Sequence, residues 1–120
     1  MGKILAITLS LVVLTTNRVC AADPQAAAGV GLTPCAEFAQ QYKQNPQLIG
    51  PAYFSWADGF MTGWNFHLLA TKQPIFDMST RTLDQRQFHI LDYCERNPLQ
   101  QFVRAVLDLF SSFPSRAPEK

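Results

Sequence analysis

The sequence predicts an all-α fold, a small domain of four helices with one disulfide. Two observations point to helices: apolar residues recur at three- and four-residue spacing in four separate stretches, and no stretch alternates with period two over a useful length. A third concerns the cysteines. Cys35 and Cys94 stand near the start of the first periodic stretch and the end of the third, a placement that suits one bridge across the domain.

The export signal comes first because it sets the redox compartment. Lys3 is followed by an uncharged apolar run, Ile4 to Leu14, and then by "TTNRVCAAD". This is the pattern of a secretory signal peptide with small residues at the cut, most simply Val19-Cys20-Ala21 before Ala22. The run is too short to span a bilayer. Val19 stands where a lipoprotein signal carries a small residue, which argues against lipid attachment at Cys20. The reading is an exported, periplasmic protein with residues 1–21 removed and no membrane partner afterwards. Loss of Cys20 leaves Cys35 and Cys94, an even pair in an oxidising compartment. The 60-residue loop they would close makes a bridge worth about 4 kcal/mol on the loop-entropy model.

The remaining 99 residues make one domain. Eight Lys and Arg against nine Asp and Glu give a formal charge of −1 and no basic patch, which excludes nucleic acid as an expected partner. All nine Phe, both Trp and all three Tyr lie in this part, so the core should be rich in aromatics.

Residues 22–32 are small and read as a flexible lead-in. Thr33 can cap a first helix with Pro34 in its first turn, and Cys35, Phe38, Ala39 and Tyr42 then share a face as far as about Gln44. The prolines and glycine of "NPQLIGP", Asn45 to Pro51, should break the chain. A second helix is expected over Ala52 to Ala70. Tyr53, Trp56, Phe60 and Trp64 fall within about 80° of one another there, with Ser55, Asp58, Thr62 and Asn65 opposite. Gly59 and Gly63 lie four apart beside that aromatic stripe, and each costs about 1 kcal/mol relative to alanine inside a helix. Close packing of another helix at the notch would offset this, as would a groove for a partner or second copy. Tyr53, Trp56, Gly59, Phe60, Gly63 and Trp64 are therefore the candidate partner-binding or dimer surface.

The connection Thr71 to Gln85 should be pinned to the core by Ile75, Phe76 and Met78. Thr82 and Gln85 can form a capping box for a third helix, Leu83 to about Tyr93, burying Leu83, Phe88, Leu91 and Cys94 or their near neighbours. Asn97-Pro98 reads as cap and first turn of a fourth, with Leu99, Phe102, Val103, Val106, Leu107 and Phe110 on its buried face. The domain would end near residue 113, and 114–120 reads as a disordered tail.

Little in the sequence suggests catalysis. His67 and His89, the only histidines, lie on different expected helices, and no Cys or His cluster has metal-ligand spacing. His89 and Cys94 are five residues apart, about 140° around a helix, which does not suit a base and its nucleophile. The expectation is a non-enzymatic protein with no cofactor, no metal and no catalytic residue. Protonating all nine carboxylates and both histidines would bring the formal charge to +10, a strain on so small a domain.

The stretches around the cysteines, "TPCAEFAQ" (33–40) and "LDYCERNPLQQF" (91–102), resemble the paired signatures of the HdeA/HdeB family of periplasmic acid-stress chaperones. Cys35, Glu37 and Phe38 match the motif that opens that family's first helix. Cys94, Glu95, Arg96, Asn97 and Pro98 match the one that closes its third, nearer to the HdeB form. The resemblance implies a single-disulfide helical fold that is a dimer at neutral pH, then loosens in acid and holds unfolding clients through exposed apolar surface. The W-x-x-G-x-x-x-G pattern from Trp56 to Gly63 is more similar to uncharacterised HdeA-like exported proteins and to Tai-type immunity proteins, which bind one partner enzyme, commonly as dimers. The two functional expectations are thus an acid-stress holdase and, as the alternative, an immunity-type or other protein-binding module.

Overall fold

The computed structural model describes residues 27–117. The expected signal peptide and cleavage site, residues 22–26 of the expected lead-in and residues 118–120 of the expected tail lie outside the described residues. Four helices carry the fold: α1 (Cys35–Gln44), α2 (Pro46–Ala70), α3 (Leu83–Arg96) and α4 (Phe102–Ser111). A two-stranded antiparallel ladder, β1 (Ile75–Phe76) with β2 (Ser115–Arg116), joins the α2–α3 connection to the segment after α4.

The Cys35–Cys94 disulfide is present, with both residues fully buried and their Cα atoms 4.7 Å apart. Beside it, residues 33–36 and 98–102 run antiparallel and cap one another. Cys35 N donates to Gln100 O (2.7 Å), Ala36 N to Pro98 O (3.0 Å) and Phe102 N to Thr33 O (2.8 Å). These bonds satisfy amides that the first turns of α1 and α4 would otherwise leave without partners.

This junction moves two helix starts from where the sequence placed them. Pro34 takes the cap position of α1 without a side-chain bond, while the Thr33 hydroxyl accepts from Tyr53 Oη (3.2 Å). Asn97 closes α3 instead of opening α4, and α4 begins at Phe102 because the carbonyls of Pro98 and Gln100 serve α1. Leu99 is in consequence almost fully exposed. The Asn-Pro start operates at the other such pair: Asn45 Oδ1 accepts from Leu48 N (3.2 Å), and Pro46 occupies the first turn of α2. The expected break at 45–51 is only this cap. Pro51 lies within α2, whose 25 residues make a rod about 37 Å long.

The core is built around Phe38, whose ring lies 4.6 Å from Tyr53, 4.7 Å from Phe102 and 6.0 Å from Phe54. The α4 pattern holds at Phe102, Val103, Val106 and Phe110, all buried, but Leu109 takes the inward position expected of Leu107, which is only half-buried. The capping box of α3 forms as the sequence indicates, with Gln85 N donating to Thr82 Oγ1 (3.2 Å) and Thr82 N to Gln85 Oε1 (2.9 Å). Its buried face differs: Ile90 and Cys94 are inside, while Leu83 and Phe88 are exposed. The disulfide fixes which side of α3 faces inward, and Ile90 is one turn before Cys94 on that side, with Phe88 about 120° away.

Two segments expected to lack order are structured. Gly29–Leu32 forms a 3-10 turn against α2 and α4, with Gly29 at a φ of 65° that favours glycine. Ser115–Arg116 pairs with Ile75–Phe76, and Asp77 N donates to Pro114 O (2.9 Å). Asn65, expected on the solvent side of α2, instead brackets this ladder: its Nδ2 donates to Phe76 O (2.8 Å) and its Oδ1 accepts from Phe76 N (3.0 Å). Ile75, Phe76 and Met78 are half-buried as the sequence suggested, with Phe76 against Phe110 at 4.6 Å.

Replacing both bridge cysteines by serine should lower unfolding stability by about 4 kcal/mol in urea titrations at neutral pH. A change under about 1 kcal/mol would mean that the mutual capping of residues 33–36 and 98–102 carries the junction without the bond.

Candidate interaction surface

α2 positions all six residues that the sequence singled out, and divides them between two faces. Tyr53 is core: its ring packs on Phe38 and Phe102, and its hydroxyl bridges Thr33 Oγ1 and Gln41 Oε1 at 3.2 Å each. Trp56 is half-buried, stacked on Phe60 at 5.3 Å with ring planes 14° apart, and Phe60 continues to Trp64 at 6.0 Å. The ladder thus runs from the interior outward, ending at Trp64, which is 46% exposed.

Trp56 also has a cover that sequence reasoning missed. The Gly29–Leu32 turn lies on its indole, close enough that a methyl group on Gly31 would run into Trp56 Cη2 and Cζ2. The signal was present in the alternation of Gly29 and Gly31 with Val30 and Leu32, small residues where the chain meets a large ring.

Gly59 and Gly63 face outward. Among the described residues nothing lies within 4 Å of where a side chain would begin at either position, so none of the four helices packs at the notch. Ala52, Ser55, Gly59, Thr62, Gly63 and Phe66 follow one another along this exposed outer face, with Phe66 64% and Leu48 67% exposed. Asp58 is the only Asp, Glu, Lys or Arg between Pro46 and Ala70, and it is held by Arg86 of α3 at 2.6 Å. A solvent-facing helix side that is open at both glycines suits contact with another protein.

A second apolar surface lies between α1 and α3. Ala39, Tyr42, Pro46, Phe88 and Leu91 line an open groove of about 690 Å³, with Lys43 on one bank and Asp92 and Glu95 on the other. Phe88 is 72% exposed at its edge. Phe88 and Leu91, which the sequence placed in the core, therefore contribute to the surface.

Carboxylates tie the elements together. Beyond Asp58–Arg86, Asp108 of α4 meets His89 of α3 at 2.7 Å, Asp77 after β1 meets Arg116 of β2 at 2.8 Å, and Asp92 pairs with Arg96 one turn along α3 at 2.6 Å. The Ser79 hydroxyl and amide, with Arg116 nearby, hold the Asp77 carboxyl below its usual range. The Arg96 guanidinium does the same for Asp92. Among the described residues no three His, Cys, Asp or Glu are grouped to hold a metal ion, and no helix is long and apolar enough to cross a membrane.

No protein-family model matches the chain, and no curated protein or solved structure matches it either.

Gly59→Ala and Gly63→Ala should each raise the thermal stability of the dilute protein, by about 1 kcal/mol, because alanine relieves the helix penalty and meets nothing. Gly31→Ala should lower it by about 1–3 kcal/mol and shift Trp56 emission to the red. Loss of stability in the two α2 variants would show that the notch is already filled by another molecule.

Proposed function

We propose that this is an exported, periplasmic, non-enzymatic protein that binds other proteins, and that acid is the condition under which it holds unfolding clients, as the HdeA/HdeB resemblance implies. The observation that carries the reading is the set of carboxylate ties between elements. Asp58–Arg86 fastens α2 to α3, Asp108–His89 fastens α4 to α3, and Asp77–Arg116 fastens the connection to the end of the ladder. Protonation removes each tie, whereas the Cys35–Cys94 bond survives and keeps the loosened chain compact.

The depressed carboxyls set the direction of the pH response. Asp77 and Asp92 titrate lower in the folded protein than in the unfolded chain. Their stabilisation is therefore present above the ordinary carboxylate range of about pH 4 and is lost as the pH falls through their lowered values. Loosening belongs to strongly acid solution. The apolar surface released would adjoin surface already exposed at Phe66, Trp64 and Phe88.

One observation favours the immunity-type alternative, or a dedicated partner at neutral pH. The outer face of α2 is uncharged and open without any loosening, and it would serve equally for a second copy in a homodimer.

Apolar-dye fluorescence and aggregation of an acid-labile client should be followed together from about pH 7 to about pH 2. The holdase reading predicts that dye binding rises and client aggregation falls in the same acid range. Asp58→Asn should move the dye transition to higher pH because one tie is already absent. A dye signal that stays flat with no client protection would overturn the holdase reading and leave the neutral-pH partner.

A further inference from the structure

His89 sits at a three-way contact that the carboxylate ties alone do not explain. Its Nε2 meets Asp108 Oδ2 of α4 at 2.7 Å, and its Nδ1 meets Arg81 Nη1 of the α2–α3 connection at 3.0 Å. The Arg81 guanidinium also lies over the ring of buried Phe113, 5.6 Å from its centre. A guanidinium can only donate hydrogen bonds, so Nδ1 must be the accepting nitrogen of the ring. The neutral ring then carries its one proton on Nε2 and donates it to Asp108. Both partners are satisfied only by this tautomer.

A second proton can enter the ring only at Nδ1, the atom that holds Arg81. The contact then places an N–H donor against an N–H donor and a cation against a cation, so it cannot persist. The Asp108 contact gains instead, because a charged ring donates to a carboxylate. The other charged groups around the ring do not restore Arg81 to its place. Asp92, one turn further along α3, is engaged by Arg96, and Arg86, nearly one turn before His89, is engaged by Asp58. Arg104, one turn before Asp108 on α4, is exposed and adds positive charge on that side. A surface pocket of about 420 Å³ lined by Thr80, Arg81, Gln85, Phe88, His89 and Asp92 gives the displaced guanidinium room to swing.

We propose that His89 is a proton-operated latch: its neutral ring fastens Arg81, and with it residues 77–82, to α3 and α4, and protonation at Nδ1 releases Arg81 while keeping Asp108. Imidazole is the side chain whose charge ordinarily changes between about pH 5 and pH 8. The latch would open as the ring takes up its second proton, and would free the Met78–Thr80 turn. It does not rest on the client-holding reading. That reading can fail in its aggregation assay while the latch operates, and the latch can fail while clients are still protected.

The test is nitrogen-detected NMR of the disulfide-closed protein, with amide exchange followed in the same pH series. The neutral ring is expected to carry its proton on Nε2. As the ring titrates, protection of the Thr80 and Thr82 amides, which donate to Asp77 O and Gln85 Oε1, should fall about tenfold or more relative to the intrinsic exchange rate at each pH, with protection in the middle of α4 unchanged. His89→Gln supplies a carbonyl for Arg81 and an amide for Asp108 without titrating, and should abolish the acid-dependent loss of that protection. Arg81→Met keeps the stem over Phe113 but not the donor, so the ring should still titrate while the connection is loose throughout. A neutral ring protonated at Nδ1, or Thr80 and Thr82 protection that does not follow the ring's titration, would overturn the latch.

Discussion

The fold depends on one junction, where residues 33–36 and 98–102 are held side by side by three backbone hydrogen bonds next to the Cys35–Cys94 bond. Two helix starts must lose their water there, and a helix start carries four amides without intrahelical partners. Each segment supplies carbonyls to the other, so neither α1 nor α4 needs a side-chain cap, and none is observed. Phe38 and Phe102 follow immediately on the two sides, which brings their rings to 4.7 Å and makes the aromatic core a continuation of the same junction. The disulfide also determines the rotation of α3, since Cys94 must point inward, and so places Phe88 on the surface groove.

The fold class, the bridge, the end of α1, the capping box of α3 and most of the buried stripe of α4 were legible in the sequence because each depends on local spacing or on an even cysteine count. The helix starts were harder to read because Asn-Pro has two meanings. At Asn45-Pro46 the asparagine has only its own helix to serve and caps it, whereas at Asn97-Pro98 the following carbonyls are taken by a segment about 60 residues away. Nothing in a seven-residue window distinguishes these cases. Asn65 presents a similar difficulty. A polar residue on a helix reads as solvent-facing, but its amide group reproduces the donor and acceptor of a strand edge and so sits against Phe76.

Of the residues named for the candidate surface, the sequence grouped them correctly on one helix but could not separate their roles. Tyr53 is drawn inward because its hydroxyl finds Thr33 and Gln41, and Trp64 remains outside because none of the described elements covers the far end of the aromatic ladder. The outer face of α2 emerges only once the other helices are in place, since its defining property is the contact it lacks. On α2 the one ionic tie, Asp58 to Arg86, is directed at α3, while Gly59 and Gly63 face outward.

The cover over Trp56 has a further consequence. The two indoles of this chain report on different places: Trp56 senses whether the Gly29–Leu32 turn is seated, and Trp64 senses the solvent at the end of the ladder. A collisional quencher should therefore reach Trp64 readily and Trp56 only when the turn lifts. The protein carries its own pair of optical reporters, one for the seating of its N-terminal side and one for occupancy of its exposed surface, with no label attached.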